Sequence, residues 1–462
     1  MKSRNDTPRT ARPRRFPIRA VFFALGLAVS CGHPGAAADE APETARTLSL
    51  SLQEAVGRAL ENNVAVKLAR ERIEETKGLR MESRADLLPH VSLNASQGRV
   101  FWQNLAAEGL TDFGVLGPFN SFDAHVQLVQ RVFDMSALSG FRAQEAGLQI
   151  ARLEEGFVRQ QVMLSAVLSY LSVLKSEEEL RARDEDIGLA QDLVTMAQHQ
   201  LDAGTATKLD LVRAKTRLAQ QTALRQDAVQ GLQTATLGLM RATGLPFGTD
   251  VRLSDSLRFS EEEALPLEDA LDAAYEDRIE MSLAKDRVSY ESRKLAQAEN
   301  ERLPALDIYG SYGRAGETPA GSPHDVGAIG VQVTMPVFEG GGIAGRIRQH
   351  ASRARSEEIR RDDVAVQIEE DVRLALQTLT TSRDRVRAAR EALDLARSEV
   401  ELAQNQYDAG TQDNIAVLQA LDALARAHEA YISAVTQYQV GRVNYFSALG
   451  RTASFRLVSS KE

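Results

Sequence analysis

In the second half of the chain Val372, Leu379, Val386, Leu393, Val400 and Tyr407 recur at every seventh position. Ala375, Ala389, Ala396 and Ala403 stand three positions after members of that series. The first half repeats the pattern with Val173, Leu180, Ile187, Val194 and Leu201, and with Ala190 and Ala197. A large residue at one seam position and alanine at the other lets helix axes approach closely, as in a coiled coil; a plain helical bundle shares these features. No proline lies between Pro118 and Pro246, or after Pro336. Read as one helix, Ser136 to Leu201 is about 100 Å long at ~1.5 Å per residue, too long for a globular core to bury.

Four short segments change to a period of two. Val91, Leu93 and Ala95 alternate with Ser92, Asn94 and Ser96; Phe122, Ala124, Val126 and Leu128 alternate with Asp123, His125 and Gln127. A third segment begins at Leu306, and in the fourth Ile329, Val331, Val333 and Met335 alternate with Gly330, Gln332 and Thr334. The pattern predicts strands with one apolar face and one small, polar face. Phe101, Trp102, Phe119 and Phe122 flank one pair and Tyr309 and Tyr312 lie in the other, as a membrane-interface girdle or as ordinary loop contacts. Four strands cannot close a barrel, and an open sheet edge in lipid leaves backbone groups unsatisfied. Strands of this kind in a membrane therefore require several chains.

The two halves are copies. "LSLQEAV" from Leu50 matches "LPLEDAL" from Leu265, and "LLPHVSL" from Leu87 matches "RLPALDI" from Arg302. "VQLVQRVFD" from Val126 matches "VQVTMPVFE" from Val331, and Asp-Ala-Gly-Thr follows in both halves, at Asp202 and Asp408. The order places a signal at 1–38, a first repeat at 39–249 and a second at 250–462, each reading helix, strand, strand, long helix, turn, long helix. Gly204 and Gly410 fall where the seams end, as left-handed caps. Thr207 and Asp210 fit a capping box for the return helix; in the second copy Asp413 is a candidate N-cap and Ala416 replaces the box acid. Each turn is the tip of a long helical hairpin.

Composition narrows the function. A basic start (Lys2 to Arg19), the short apolar run Ala20 to Val29 and the small residues before Asp39 fit a secretory signal. Seven basic residues and one acidic residue lie in 1–38, so removing them takes the formal charge from −9 to −15, against a nucleic-acid partner. Cys31, the only cysteine, is either a lipid acceptor or leaves with the signal. The seven histidines form no metal-ligand spacing, and no catalytic constellation is found. Gly340, Gly342 and Gly345 match a dinucleotide-loop spacing, but the preceding strand alternates, so a strand-to-helix turn is the expected reading. The sequence predicts no enzyme, no cofactor and no metal.

The secretory signal, the duplication with two strands per copy, the two A-G-T turns with "LDL" at Leu209 and "AVLQA" at Ala416, and "PVFEGGG" at Pro336 together resemble the outer-membrane efflux protein family, the TolC-like channels. The resemblance covers nearly all of Leu50 to Gly450. It implies a mainly α protein with a membrane β-barrel: a homotrimer pooling its strands into twelve and its helices into a periplasmic tunnel. It implies a passive conduit in the bacterial outer membrane, in contact with its lipid, serving tripartite efflux or type I secretion. Its partners would be a periplasmic adaptor (membrane fusion protein) and an inner-membrane pump. Gly204, Thr205, Asp210, Gly410 and Thr411 would form the adaptor-docking tips. At the tunnel entrance, Gln412, Ala416 and Gln419 replace the family's arginine and two aspartates, which puts an acidic constriction in doubt. The alternative is a secreted or lipid-anchored coiled-coil scaffold without a pore.

Overall fold

The structure, a computed structural model, describes residues 48–101, 103–104, 115–261, 263–321 and 324–457. The signal segment with Cys31, and Trp102, lie outside the described residues. The first repeat runs β1 (Leu48–Leu50), α1 (Leu52–Asn62), α2 (Val64–Ala85), β2 (His90–Val100), short β3 (Gln103–Asn104) and β4 (Val115–Leu116), β5 (Phe119–Phe133), α3 (Met135–Asp202) and α4 (Lys208–Thr243). The second runs β6 (Val251–Leu253), α5 (Leu267–Asp277), α6 (Ile279–Asn300), β7 (Ala305–Gly316), β8 (His324–Thr334), α7 (Gly342–Asp408) and α8 (Asn414–Ala448).

Local chemistry sets the breaks. Ser51 and Glu54 form a reciprocal capping box that starts α1. Asn63 ends α1 in an extended conformation and caps α2 through its side chain, which accepts from the Ala65 amide. Arg278 makes the matching break between α5 and α6 without a side-chain cap; its guanidinium instead pairs with Glu280 and Asp371. Gly340 and Gly341 are both left-handed, and Gly341 caps α7. The glycine-rich stretch is thus a turn out of an antiparallel strand.

β2, β5, β7 and β8 form one antiparallel sheet in that order. Its register places Leu93 beside Val126 and Tyr312, and Val91 beside Leu128, Gly310 and Ile329. The alternating segments therefore share one apolar face, which is exposed from Leu93 across to Ile329 and Val331. Ser92, Gln127, Ser311 and Gln332 lie on the other face. Among the described residues, β2 and β8 each keep one edge without a strand partner.

The helices form the core. In α7 the predicted seam residues Val372, Leu379, Val386, Leu393, Val400 and Tyr407 are all buried, as are Ala375, Ala396 and Ala403. In α3 the seam differs from expectation. Val173 is buried, but Leu180, Ile187, Val194 and Leu201 are only half-buried, and Ala190, Leu193 and Ala197 are the sealed positions. The reason is the neighbourhood: α8 packs against both α7 and α3, whereas α4 packs almost wholly against α3. Part of α3 is apolar enough by composition to cross a membrane. That apolarity serves internal contacts, because Val167, Tyr170, Leu171 and Leu174 are buried against Leu50, Leu52 and Leu239. There β1 pairs in parallel with β6, and Asp255 accepts hydrogen bonds from the Tyr170 hydroxyl (2.7 Å) and the Leu52 amide (2.9 Å).

Candidate functional site

The two Asp-Ala-Gly-Thr turns have the same hydrogen bonds. In the first tip the Thr205 amide donates to the Gln200 carbonyl (2.9 Å) and the Gly204 amide to that of Leu201 (3.0 Å). In the second, the Thr411 amide donates to Gln406 (3.0 Å) and the Gly410 amide to Tyr407 (3.0 Å). Each is a Schellman closure, which needs a left-handed residue at its corner; Gly204 has φ 75° and Gly410 φ 71°. The threonine hydroxyl donates a further bond, 3.0 Å in each tip, to the same carbonyl that its amide reaches. Threonine after the glycine therefore closes the helix end twice, which explains why both copies spell it.

The restarts differ. The Thr207 amide donates to Asp210 Oδ2 (3.0 Å) and the Asp210 amide to Thr207 Oγ1 (3.3 Å). The Thr207 hydroxyl and amide bonds, then nearby Arg213, hold the Asp210 carboxyl below the usual carboxylate range. α8 has a single cap, the Ala416 amide donating to Asp413 Oδ1 (3.3 Å).

Of the residues singled out from sequence, Gly204, Thr205, Gly410, Thr411, Gln412 and Gln419 are exposed, and Asp210 and Ala416 are half-buried. The tips lie side by side, joined by two residues that sequence reasoning missed. Gln200 Nε2 donates to the Tyr407 carbonyl (2.9 Å), and the buried Asn414 donates through Nδ2 to the Asp210 carbonyl (3.0 Å). Both bonds reach backbone across about two hundred positions of sequence, so no local pattern marks them. Tyr407 is buried beneath; desolvation, and then the Asp210 charge, raise its phenol pKa.

Farther from the tips, the α3–α8 joint is ionic. Arg183 pairs with Asp186 and Glu429, and His428 lies beside Arg397 and Glu185. Burial raises the Asp186 carboxyl pKa and lowers that of the His428 imidazole. Among the described residues there is no cluster of three or more His, Cys, Asp or Glu that would hold a metal ion.

The comparisons with known proteins agree with this architecture. The sequence model for "Outer membrane efflux protein" matches residues 55–245 and 270–451. The chain belongs to the outer membrane efflux protein family.

This efflux protein is 22% identical over 426 residues to the alkaline protease secretion protein AprF of Pseudomonas aeruginosa, covering 89% of this chain and 87% of AprF. It is 23% identical over 387 residues to the outer membrane protein TolC of Escherichia coli, covering 80% and 76% of the two chains. Among solved structures, the Campylobacter jejuni CmeC outer membrane channel superposes with a TM-score of 0.75 at 18% identity, over 89% of this chain and 87% of that one. The Vibrio cholerae outer membrane protein VceC gives 0.73 at 16% identity, over 86% and 96%. This family member is an outer-membrane channel of the efflux and secretion kind, located in the outer membrane.

Proposed function

We propose that three copies of this chain form one passive conduit across the outer membrane and periplasm, the β-sheets closing a twelve-stranded barrel and α3, α4, α7 and α8 forming the tunnel wall. The observation that carries this reading is a four-stranded sheet with one exposed apolar face, one polar face and two unpartnered edges. In lipid such edges must find partners, and in a barrel the apolar face meets hydrocarbon while the polar face lines water.

The paired tips are the docking end, with Gly204, Thr205, Asp210, Gly410 and Thr411 meeting a periplasmic adaptor that couples the conduit to an inner-membrane pump. Gln412 and Gln419, both exposed, and half-buried Ala416 are uncharged, so the entrance does not select cations by charge at these positions. Energy comes from the pump. Opening separates the tips and breaks the Gln200 and Asn414 bonds, and adaptor contact must favour the separated state for it to be populated.

The test is carbonate extraction followed by planar-bilayer recording of the purified protein. The expected result is retention in the membrane, a trimer-sized particle and discrete conductance steps. Release by carbonate with no conductance would overturn the reading.

A further inference from the structure

We infer that His428 makes the joint between α3 and α8 a proton-responsive clasp: the neutral imidazole keeps the joint packed, and mild acid favours a loosened joint from which the tips part more readily. The effect on transport rests on the conduit proposed above; the clasp itself does not.

His428 lies 18 residues beyond Gly410, about 27 Å along α8 from the tip at ~1.5 Å per residue. It is 7% exposed. Its Nε2 stands 3.3 Å from Arg397 Nη2 of α7. A guanidinium only donates, so Nε2 is the acceptor and the ring proton sits on Nδ1. Nδ1 is buried and has no hydrogen-bond partner among the described residues. The packed joint thus holds a neutral imidazole with an orphaned N–H, and His428 lines a cavity of about 400 Å³ between α3, α4 and α8.

A second proton would go to Nε2. It would turn the acceptor into a donor facing a donor and set one cation against another. The other charges around the ring offset this poorly. On α3, Glu185 is 3.9 Å from Nε2, but its side chain is 62% exposed and screened by water. Asp186, and Glu429 of α8, are both taken by Arg183. Lys175 and Glu179 on the cavity wall pair with each other. On α4, Arg217 is paired with Asp422, and exposed Asp227 lines the cavity. On α7, Asp394 stands 3.8 Å from Arg397. Burial holds the imidazole pKa below its ordinary value, and Arg397 adds to this against the pull of Glu185 and Asp186.

Loosening brings water to the ring and moves Arg397 away, so the loosened state has the higher histidine pKa. The packed state is fully favoured above the ordinary value near ~6.5 and loses ground as pH falls below it, by up to about tenfold for each unit between the two states. Asp186 works in the opposite sense. Burial raises its carboxyl pKa, so the packed state gains once pH falls below that raised value. The first repeat lacks the device: the tip glycines align His428 with Thr222 and Arg397 with Gln191, neither of which titrates.

Hydrogen exchange of the purified full chain, corrected for the intrinsic pH dependence of amide exchange, tests this. Protection of α8 amides around His428 is expected to fall at least about threefold between about pH 7.5 and about pH 5.5. His428→Gln should keep the protection found at the higher pH and lose the change. Arg397→Gln, at a side chain 56% exposed, should shrink the change, because the packed imidazole then titrates nearer its ordinary value. An unresponsive parent, a His428→Gln variant that still responds, or an undiminished response in Arg397→Gln would overturn the clasp. In planar bilayers the parent is expected to spend at least about threefold more time in its larger conductance state at the lower pH, and His428→Gln is not. Pores with the same pH behaviour in both would overturn the link to opening. Absence of pores at every pH would overturn the conduit reading and leave the exchange result standing.

Discussion

α4 and α8 are the same element of the two repeats, yet they live in different surroundings. α8 has buried residues from Asn414 to Ala448 along its length, because it packs against both α7 and α3. α4 has only Ala214, Gln221, Leu239, Met240 and Thr243 buried, and leaves Leu209, Val212, Leu224 and Leu237 exposed. The difference lies in position and not in propensity: both helices follow the same turn and both are capped. An interior repeat joint and an outer edge give the same architecture different burial.

The largest expected break in that comparison is at the tips, where the repeats are most alike. Gly204→Pro and Gly410→Pro each remove a closing amide bond and demand φ near −65° where the corner is left-handed, a local cost of about 3 kcal/mol or more. Export in cells should fall at least tenfold in either variant, with membrane-bound multimers retained; unchanged export would remove the tips from the mechanism.

The next largest separates the two seams. Leu393→Ala in α7 is expected to cost about 2–5 kcal/mol as a fully packed position. Its equivalent Ile187→Ala in α3, half-buried, should cost less than half as much in detergent-solubilised single chains. Denaturant unfolding followed by circular dichroism measures both. The gap should narrow in the assembled protein if a second copy covers the α3–α4 face.

A smaller contrast separates the restarts. Thr207→Ala removes the side-chain half of a capping box together with the Thr207 hydroxyl bond to Asp210, and Asp413→Ala a single cap, each worth about 1 kcal/mol to its helix, with Thr207→Ala the larger. Hydrogen exchange in the first turns of α4 and α8 reads this.

The smallest effect is the acid response of the first tip. The Asp210 carboxyl is held down in the folded state by Thr207, so its contribution is present above the ordinary carboxylate pKa near ~3.9 and is lost as pH falls through the depressed folded value. Exchange at the start of α4 should accelerate below about pH 4, and Asp210→Asn should abolish that pH dependence. A variant that still shows it would place the titration elsewhere.

Much of this fold was legible because periodicity is a local property. Sevenfold spacing gave α3 and α7, twofold spacing gave the sheet faces, and Gly-Thr gave both tips. What was not legible depends on neighbours. Nothing around Ile187 says that it stays half-buried while its counterpart Leu393 is sealed. Gln200 and Asn414 read as ordinary tip residues until the fold brings Tyr407 and Asp210 beside them. β1 and β6 are three residues each, too short for a pattern, and are defined only by each other.

Each long helix runs unbroken while its companion track is spliced. α2 lies along one part of α3 (Arg80 to Glu145, 3.1 Å) and α4 along another (Arg225 to Asp184, 2.6 Å). At the splice Asn63 reaches the Ala242 carbonyl, and a Cβ on Gly244 would come within 2.6 Å of Asn62. The second repeat has the same splice, with Gly450 against Asp277. Mechanically, α3 and α7 are continuous spars that carry axial load from sheet to tip. Among the described residues the cladding is spliced at these two glycine-tight butt joints, so sideways flexing is expected to concentrate at Gly244 and Gly450.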